Sequence, residues 1–230
     1  MIDIIQRKPT KQKKKFSTQD GYKYTTDDFG VIHQVNPQHF KYDSEYIDTY
    51  KTPAYREASA LLMGIRLGSV YSNYISKFKS FPSSILDIGY GDGSFLKSSD
   101  SLISSCYGYD VTNEPLPPSI TKVDELNDSS HYDIITMWDV YEHLHDLDII
   151  NKLNFDLICF SMPDVSNKNF EEWKHRKPNE HIHHFTPQSL TNLMNSFNLV
   201  PIHLSWQEDT VRKSKNNHNI MTMMFVKNLK

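Results

Sequence analysis

The 230-residue sequence has only two cysteines, Cys106 and Cys159, and no apolar run long enough to span a membrane. Each cysteine lies in a short apolar run typical of a buried strand, which excludes a disulfide framework and a thiolate metal site. The N-terminus lacks the apolar core of a secretory signal. These absences predict a protein of a reducing compartment, the cytoplasm, with no membrane partner.

The sequence also lacks an excess of charge of either sign, because its formal net charge is -3. A charge so near zero favours neither nucleic acid nor an acidic membrane surface as a partner. Several lysines nevertheless cluster before residue 16, so we interpret residues 1–20 as a basic, flexible tail. Residues 21–52 are predicted to form a small appendage, with a hairpin over 22–35 and a tyrosine-rich segment after it. Residues 53–230 are long enough to form one large domain.

Apolar spacing divides the rest of the chain into helices and strands. Spacings of three and four predict a long amphipathic helix over residues 54–78. Strands are predicted over residues 85–88, 106–109, 121–123, 132–137, 155–160, 199–206 and 220–226. Helices are predicted after Gly93, after Asp139 and after Thr186, with Thr186 as the N-cap of the last one.

The alternation of strands and helices predicts an α/β fold: a Rossmann-like, seven-stranded, mostly parallel sheet with helices on both faces. Only polar residues separate the last two predicted strands. We therefore expect these two strands to pair as an antiparallel hairpin.

Glycine is scarce as well, yet three of the eight glycines fall within ILDIGYGDGSF, residues 85–95. Gly89 would allow a tight turn out of the first strand, Gly91 a close approach of ligand to backbone, and Gly93 close packing of the next helix. A dinucleotide loop needs G-x-G-x-x-G, and here the sixth position is Ser94. The loop therefore predicts a ligand other than a nicotinamide or flavin dinucleotide.

The pattern D-x-G-x-G-x-G starting at Asp87, followed by YGYDV with Asp110 at the end of the second strand, resembles the class I S-adenosylmethionine-dependent methyltransferases. The resemblance implies S-adenosylmethionine (SAM) as cofactor and S-adenosylhomocysteine (SAH) as product. It assigns Asp110, with Val111 beside it, to the ribose hydroxyls. It also places Asp87 near the methionine ammonium of the cofactor.

A further stretch, YDIITMWDVYEHLHDL, is similar to the fourth-strand motif of the small-molecule branch of this family, which includes methyltransferases of ubiquinone biosynthesis. The resemblance implies that this stretch, with Trp138 and Asp139 at the strand end, closes the cofactor pocket. Trp138 is predicted to cover the cofactor, and core packing is the alternative. Tyr90 or Trp138 would face the sulfonium through its ring. Asp124 and Glu125 are candidates for contact with adenine.

Histidines are the candidate acid–base residues, because imidazole titrates near neutral pH and a hydroxyl acceptor must lose a proton. His143, His181 and His184 all lie near the expected ligand-binding edge of the sheet, and we predict them as catalytic residues. Capping or packing is the alternative for each. The sequence HIHH could also bind a metal ion, but no third ligand is fixed, so no metal is predicted.

The expected function is methyl transfer from SAM to an oxygen, with nitrogen or carbon less favoured, of a small metabolite or sugar-like acceptor. Two alternatives stay open: a cofactor-binding protein without activity, and a nucleic-acid methyltransferase that uses the lysine-rich tail. Enzymes that modify base amino groups show Asn/Asp-Pro-Pro-aromatic after the fourth strand, whereas this chain has MWDVYEHL. This difference argues against nucleic acid as a partner. The sequence does not indicate an oligomeric state.

Overall fold

The computed structural model describes residues 14–42, 53–112, 114–127, 129–212 and 219–228, with the backbone alone for 53–58. The strands and helices are β1 (Lys15–Ser17), β2 (Lys23–Thr26), β3 (Ile32–Gln34), α1 (Pro53–Phe78), β4 (Ser84–Ile88), α2 (Ser94–Ser99), β5 (Ser105–Tyr109), β6 (Ile120–Lys122), β7 (His131–Trp138), β8 (Asn154–Pro163), β9 (His183–His184), α3 (Pro187–Ser196), β10 (Leu199–Ser205), α4 (Glu208–Val211) and β11 (Ile220–Lys227). Within the described ranges, no helix combines the length and the apolarity needed to cross a membrane.

The larger sheet has seven strands in the order β10-β11-β8-β7-β4-β5-β6. Strands β4 to β8 run parallel, and β11 pairs antiparallel with both β8 and β10. Apolar side chains are buried on both faces of this sheet: α1 and α2 contribute to one layer and α3 to the other. The structure therefore confirms the predicted Rossmann-like fold and its antiparallel last hairpin.

Helix α1 forms where the apolar spacing predicts a helix. Leu62, Leu67, Val70 and Tyr74 are buried along one side of it. Helix α3 likewise begins as predicted, because the side chain of Thr186 accepts a hydrogen bond from the N–H of Ser189. Both helices are thus specified by local signals in the sequence.

The prediction of a helix after Asp139 is wrong. Two short 3₁₀ turns, Tyr141–His143 and Leu147–Lys152, take its place. Asp139 has a φ of 57°, and Leu144 is extended between the two turns. These two conformations interrupt the hydrogen-bond ladder that an α-helix requires.

The appendage forms a second, four-stranded sheet in the order β1-β2-β3-β9. Strands β2 and β3 pair antiparallel, as predicted for a hairpin over residues 22–35. Strand β1 lies within the range predicted as a flexible tail and is an ordered edge strand, because it pairs with β2. The rest of that tail, residues 1–13, and most of the tyrosine-rich segment, residues 43–52, lie outside the described residues. The division of the chain at residues 20 and 52 stays a prediction.

Strand β9 joins the appendage to the segment that carries the candidate histidines. Ile32 pairs with His184, and His33 pairs with His183. A hydrogen-bonded chain runs from Asp27 to His33 Nε2 (2.9 Å) and from His33 Nδ1 to His183 Nδ1 (2.8 Å). The Nε2–H of His183 then donates to the carbonyl oxygen of Leu144 (2.9 Å). The appendage therefore holds this segment in place.

Candidate active site

The candidate site lies where the strand order of the larger sheet reverses. The chain moves from β4 to β5 and β6 on one side, and then returns to β7 and β8 on the other. In such sheets ligands bind outside the carboxyl ends of the strands at this switch point. The glycine loop, Asp110 and Asp139 follow β4, β5 and β7 at this edge.

The glycine loop has a backbone that few other residues could adopt. Gly89 and Gly91 have φ values of 78° and 56°. A Cβ atom on Gly89 would overlap the side chain of Val140, whereas one on Gly91 would meet nothing within 4 Å. Gly89 is therefore needed for packing, while the space beside Gly91 is open to a ligand.

Asp110 connects the end of β5 to this loop. Its Oδ2 accepts a hydrogen bond from the N–H of Gly91 (2.8 Å), and its Oδ1 accepts one from the N–H of Thr112 (2.7 Å). The side chain of Val111 is 77% exposed beside it. Asp124 is also exposed and follows β6, the next strand of the sheet. A carboxylate and an apolar surface thus lie side by side at this end of the cleft.

Asp87 lies at the buried base of the loop. It is 2% exposed, and its Oδ1 accepts a hydrogen bond from the hydroxyl of Thr136 (2.6 Å). Burial raises the pKa of Asp87 to about 7, although this hydrogen bond opposes the shift. Tyr90 is buried nearby, and its hydroxyl donates to the carbonyl oxygen of Glu114 (2.7 Å). Asp87 can therefore change its charge near neutral pH.

Trp138 is held by neighbours that the sequence did not suggest. The guanidinium of Arg66 lies 4.6 Å from the centre of the Trp138 ring, and the Phe95 ring packs edge-on at 5.1 Å. Trp138 itself is buried. This arrangement favours the packing interpretation of Trp138, because a permanent cation already occupies one ring face.

Asp139 belongs to a network of charges in which Arg66 and Glu208 are buried, while Asp139 and Arg212 are about one third exposed. Its Oδ2 accepts from Arg66 Nη2 (3.0 Å) and Arg212 Nη2 (2.7 Å), and both arginines also bind Glu208 (2.8 Å each). Burial opposes ionisation of the two carboxyl groups, but the guanidinium groups outweigh it and lower the pKa of Asp139 and of Glu208. The carboxylate of Asp139 is therefore engaged by arginines. The sequence signal for this network was a charged residue, Arg66, on the apolar side of α1.

Two of the three candidate histidines come together with a glutamate that we did not single out. Glu142, His143 and His181 each offer one ligand-type atom within 4.8 Å of the other two. The histidine rings are nearly perpendicular, with centres 4.7 Å apart. Burial lowers the pKa of His143, and it lowers the pKa of His181 to about 2. We call these three residues the Glu142 cluster.

His184 is held in different surroundings. Its ring is buried against the aromatic rings of Tyr24, Phe170 and Trp173, at centre distances of 5.0 to 5.9 Å. Burial lowers its pKa to about 3. This placement does not favour His184 as a catalytic base.

The sheet order, the glycine loop and the carboxylate after the second parallel strand together define a class I methyltransferase fold. A family model described as a methyltransferase domain matches residues 66–204, and the chain belongs to this family. The match runs from within α1 to within β10, so the strands β1 to β3 lie outside it. The protein is a SAM-dependent methyltransferase. The narrower similarity to enzymes of ubiquinone biosynthesis stays a prediction.

Solved structures share this fold at low sequence identity. The plantazolicin methyltransferase BpumL, in complex with a monoazolic desmethylPZN analog and SAH, matches with a TM-score of 0.55 and 15% identity, over 80% of this chain and 94% of its own. The magnesium protoporphyrin IX methyltransferase ChlM from Synechocystis PCC 6803, with bound SAH, matches with a TM-score of 0.53 and 11% identity, over 75% of this chain and 84% of its own. No curated protein sequence matches the chain.

Proposed function

We propose that this methyltransferase transfers the methyl group of SAM to an oxygen atom of a small acceptor. The observation that carries the cofactor part of the proposal is the link between Asp110 and the N–H of Gly91, which places a carboxylate beside the open side of the glycine loop. The two cysteines are free and buried, which supports a reducing compartment such as the cytoplasm.

The adenosine part of the cofactor fits the ends of β5 and β6. Each oxygen of Asp110 accepts one backbone hydrogen bond and retains a second acceptor site, which suits two ribose hydroxyls. Val111 offers an exposed apolar surface for the adenine ring, with Asp124 on the next strand. The methionine part would then extend along the loop towards Asp87.

The acceptor would approach past the end of β7, where the Glu142 cluster lies. Transfer breaks the bond between the methyl carbon and sulfur and forms a bond between that carbon and the acceptor oxygen, and SAH leaves as a neutral thioether. A hydroxyl acceptor must also lose its proton. A cluster of one carboxylate and two imidazoles at this end supports an oxygen acceptor, because a neutral amine needs no such assistance.

Calorimetric titration of the purified protein with SAM, SAH and NAD tests the cofactor assignment. We expect both sulfur nucleotides to bind and NAD not to bind. Asp110→Ala should weaken SAM binding about ten-fold or more, because the ribose hydroxyls lose their acceptors. Asp28→Ala removes an exposed carboxylate from the appendage hairpin and should leave the affinity unchanged. Equal affinities for the wild-type protein and Asp110→Ala would contradict the ribose assignment.

The affinity for SAM should also depend on pH through Asp87. With a pKa of about 7, the carboxyl group is mostly protonated at pH 6 and half ionised at pH 7. A nearby ammonium binds the ionised form, so SAM should bind about five-fold more tightly at pH 7 than at pH 6. Asp87→Asn should flatten this dependence. Adenosine, which lacks the ammonium, should bind the wild-type protein equally at both pH values, and a SAM profile as flat as that of adenosine would contradict the placement of Asp87.

A further inference from the structure

The two histidines of the Glu142 cluster are fixed in one tautomer by their neighbours. Nδ1 of His143 lies 2.7 Å from the carbonyl oxygen of Glu180 and 3.0 Å from the hydroxyl of Tyr42, which can accept as well as donate, and Nδ1 of His181 lies 2.8 Å from the carbonyl oxygen of His175. A carbonyl oxygen only accepts hydrogen bonds, so each Nδ1 must carry the proton. In the neutral imidazole, Nε2 of each ring is then left with a lone pair.

Glu142 adds a carboxylate to these two acceptors. Glu142 is only 1% exposed, and neither of its carboxylate oxygens has a hydrogen-bond partner among the described residues. Nε2 of His143 lies 3.9 Å from Oε1, which is too far for a hydrogen bond. The two buried carboxylate oxygens of Glu142 therefore lie without a donor beside the Nε2 lone pairs of two imidazoles, and a cation between the three groups would satisfy all of them.

We propose that Glu142, His143 and His181 bind one divalent first-row transition metal ion of the Zn²⁺ type. Two imidazoles and a carboxylate suit such ions better than Mg²⁺ or Ca²⁺, which prefer oxygen ligands alone. The Nδ1–H groups that donate to backbone carbonyls are also the usual second contacts of metal-bound histidines, because they fix the ring orientation and direct Nε2 at the ion.

The position of the cluster connects the metal ion to methyl transfer. Glu142 and His143 follow Val140, which packs against Gly89 of the cofactor loop. The N–H of Ile182 donates to the carbonyl oxygen of Glu142 (3.1 Å), so the two segments that carry the ligands are joined beside the cleft. Three protein ligands leave the metal ion with open positions, as catalytic sites require.

The role of the ion rests on the proposed function. An acceptor hydroxyl bound at an open position would ionise more readily, because the metal ion lowers its pKa. Its proton would pass to solvent, and the resulting oxygen would take the methyl group from sulfur. This assigns His143 and His181 as ligands rather than bases, and it selects acceptors with an oxygen nucleophile.

Metal binding can be measured directly on the EDTA-treated, dialysed full chain. We expect titration with Zn²⁺, and with Co²⁺ followed by its visible spectrum, to show one ion bound per chain, and Mg²⁺ to bind far more weakly. Glu142→Gln and His181→Ala should each weaken Zn²⁺ binding ten-fold or more. His145→Ala removes an exposed histidine two residues after His143 and should bind as the wild-type protein does.

Thermal unfolding separates a ligand from a residue that only supports the fold. In EDTA, Glu142→Gln should be no less stable than the wild-type protein, because it removes a buried carboxylate without partners and keeps the side-chain shape. With Zn²⁺ in excess, the Tm of the wild-type protein should rise and that of Glu142→Gln should not. A purely structural glutamate would give the same difference in Tm under both conditions.

The outcomes distinguish this proposal from the assignment of the cofactor. If the folded wild-type protein binds neither Zn²⁺ nor Co²⁺, or if all three variants bind Zn²⁺ equally well, the metal site is wrong. SAM affinity measured in EDTA is expected to be retained in His181→Ala, because this residue lies outside the cofactor loop. Retained SAM binding without metal binding would leave the cofactor assignment intact and overturn the metal site alone.

Discussion

Replacing Arg66 with methionine is expected to lower the free energy of unfolding by about 3 kcal/mol, at the lower end of the range for breaking a buried ion pair. Arg66 is 7% exposed and binds both Glu208 and Asp139. Methionine fills similar space but leaves the two carboxylates with Arg212 as their shared cation. For a chain of this length, such a loss corresponds to a decrease in Tm of about 6–12 °C.

The pH dependence of stability provides a second readout for the same variant. Since the arginines lower the pKa of Asp139 and Glu208, the network stabilises the wild-type protein above the ordinary pKa of these groups. This contribution is lost as the pH falls through their folded-state values. We therefore expect acid to destabilise Arg66→Met less than the wild-type protein.

The matched control is Lys152→Met, which breaks an exposed ion pair with Asp146 and should leave the stability almost unchanged. Adding Glu208→Gln to Arg66→Met should recover part of the lost stability, because it removes one of the carboxylates. Equal Tm values for Arg66→Met and Lys152→Met, measured by calorimetry, would show that the Arg66 network contributes little to stability.

Gly91→Val is expected to abolish SAM binding, with a loss of affinity of about 100-fold or more, while the protein stays folded. A Cβ atom at this position meets nothing within 4 Å, so the side chain would occupy the open space assigned to the cofactor. The φ of 56° adds backbone strain of about 1–2 kcal/mol, which a domain of this size tolerates. Calorimetric titration and circular dichroism of the same preparation measure the two effects.

Gly21→Val provides the matched control for backbone strain. Gly21 also has a positive φ, 89°, and open space around the missing Cβ atom, but it lies in a turn of the appendage. We expect this variant to lose stability and to retain its affinity for SAM. If Gly91→Val binds SAM as well as Gly21→Val does, the cofactor does not approach the loop at Gly91.

The features that the sequence predicted correctly are those with local signals. Runs of apolar residues marked all seven strands of the larger sheet, and Thr186 and Pro187 marked the start of α3. The glycine loop and Asp110 were found because each directly follows a strand. These signals depend on residues within a few positions of each other, so one sequence is enough to recognise them.

The features that the sequence did not predict depend on distant partners. Glu142 and His181 meet only because the segment before β9 folds back against the turn after β7. Arg66 and Glu208 are 142 positions apart, and neither residue alone indicates a partner. The prediction of a helix after Asp139 was wrong for a local reason. Apolar spacing does not indicate that Asp139 adopts a left-handed backbone conformation, which interrupts the helix.

The four-stranded sheet has a consequence for the order in which the chain can fold during synthesis. Strand β3 takes its last partner from β9, and the two histidines that meet there, His33 and His183, are 150 positions apart. At about 5–20 residues per second, the ribosome needs about 8–30 s to make the chain between them. During that time the edge of β3 has no strand to pair with. Val31, which is fully buried in the finished protein, also lacks most of the core residues that pack against it. The newly made N-terminal sheet therefore has an unpaired edge that is open to aggregation until β9 has been made.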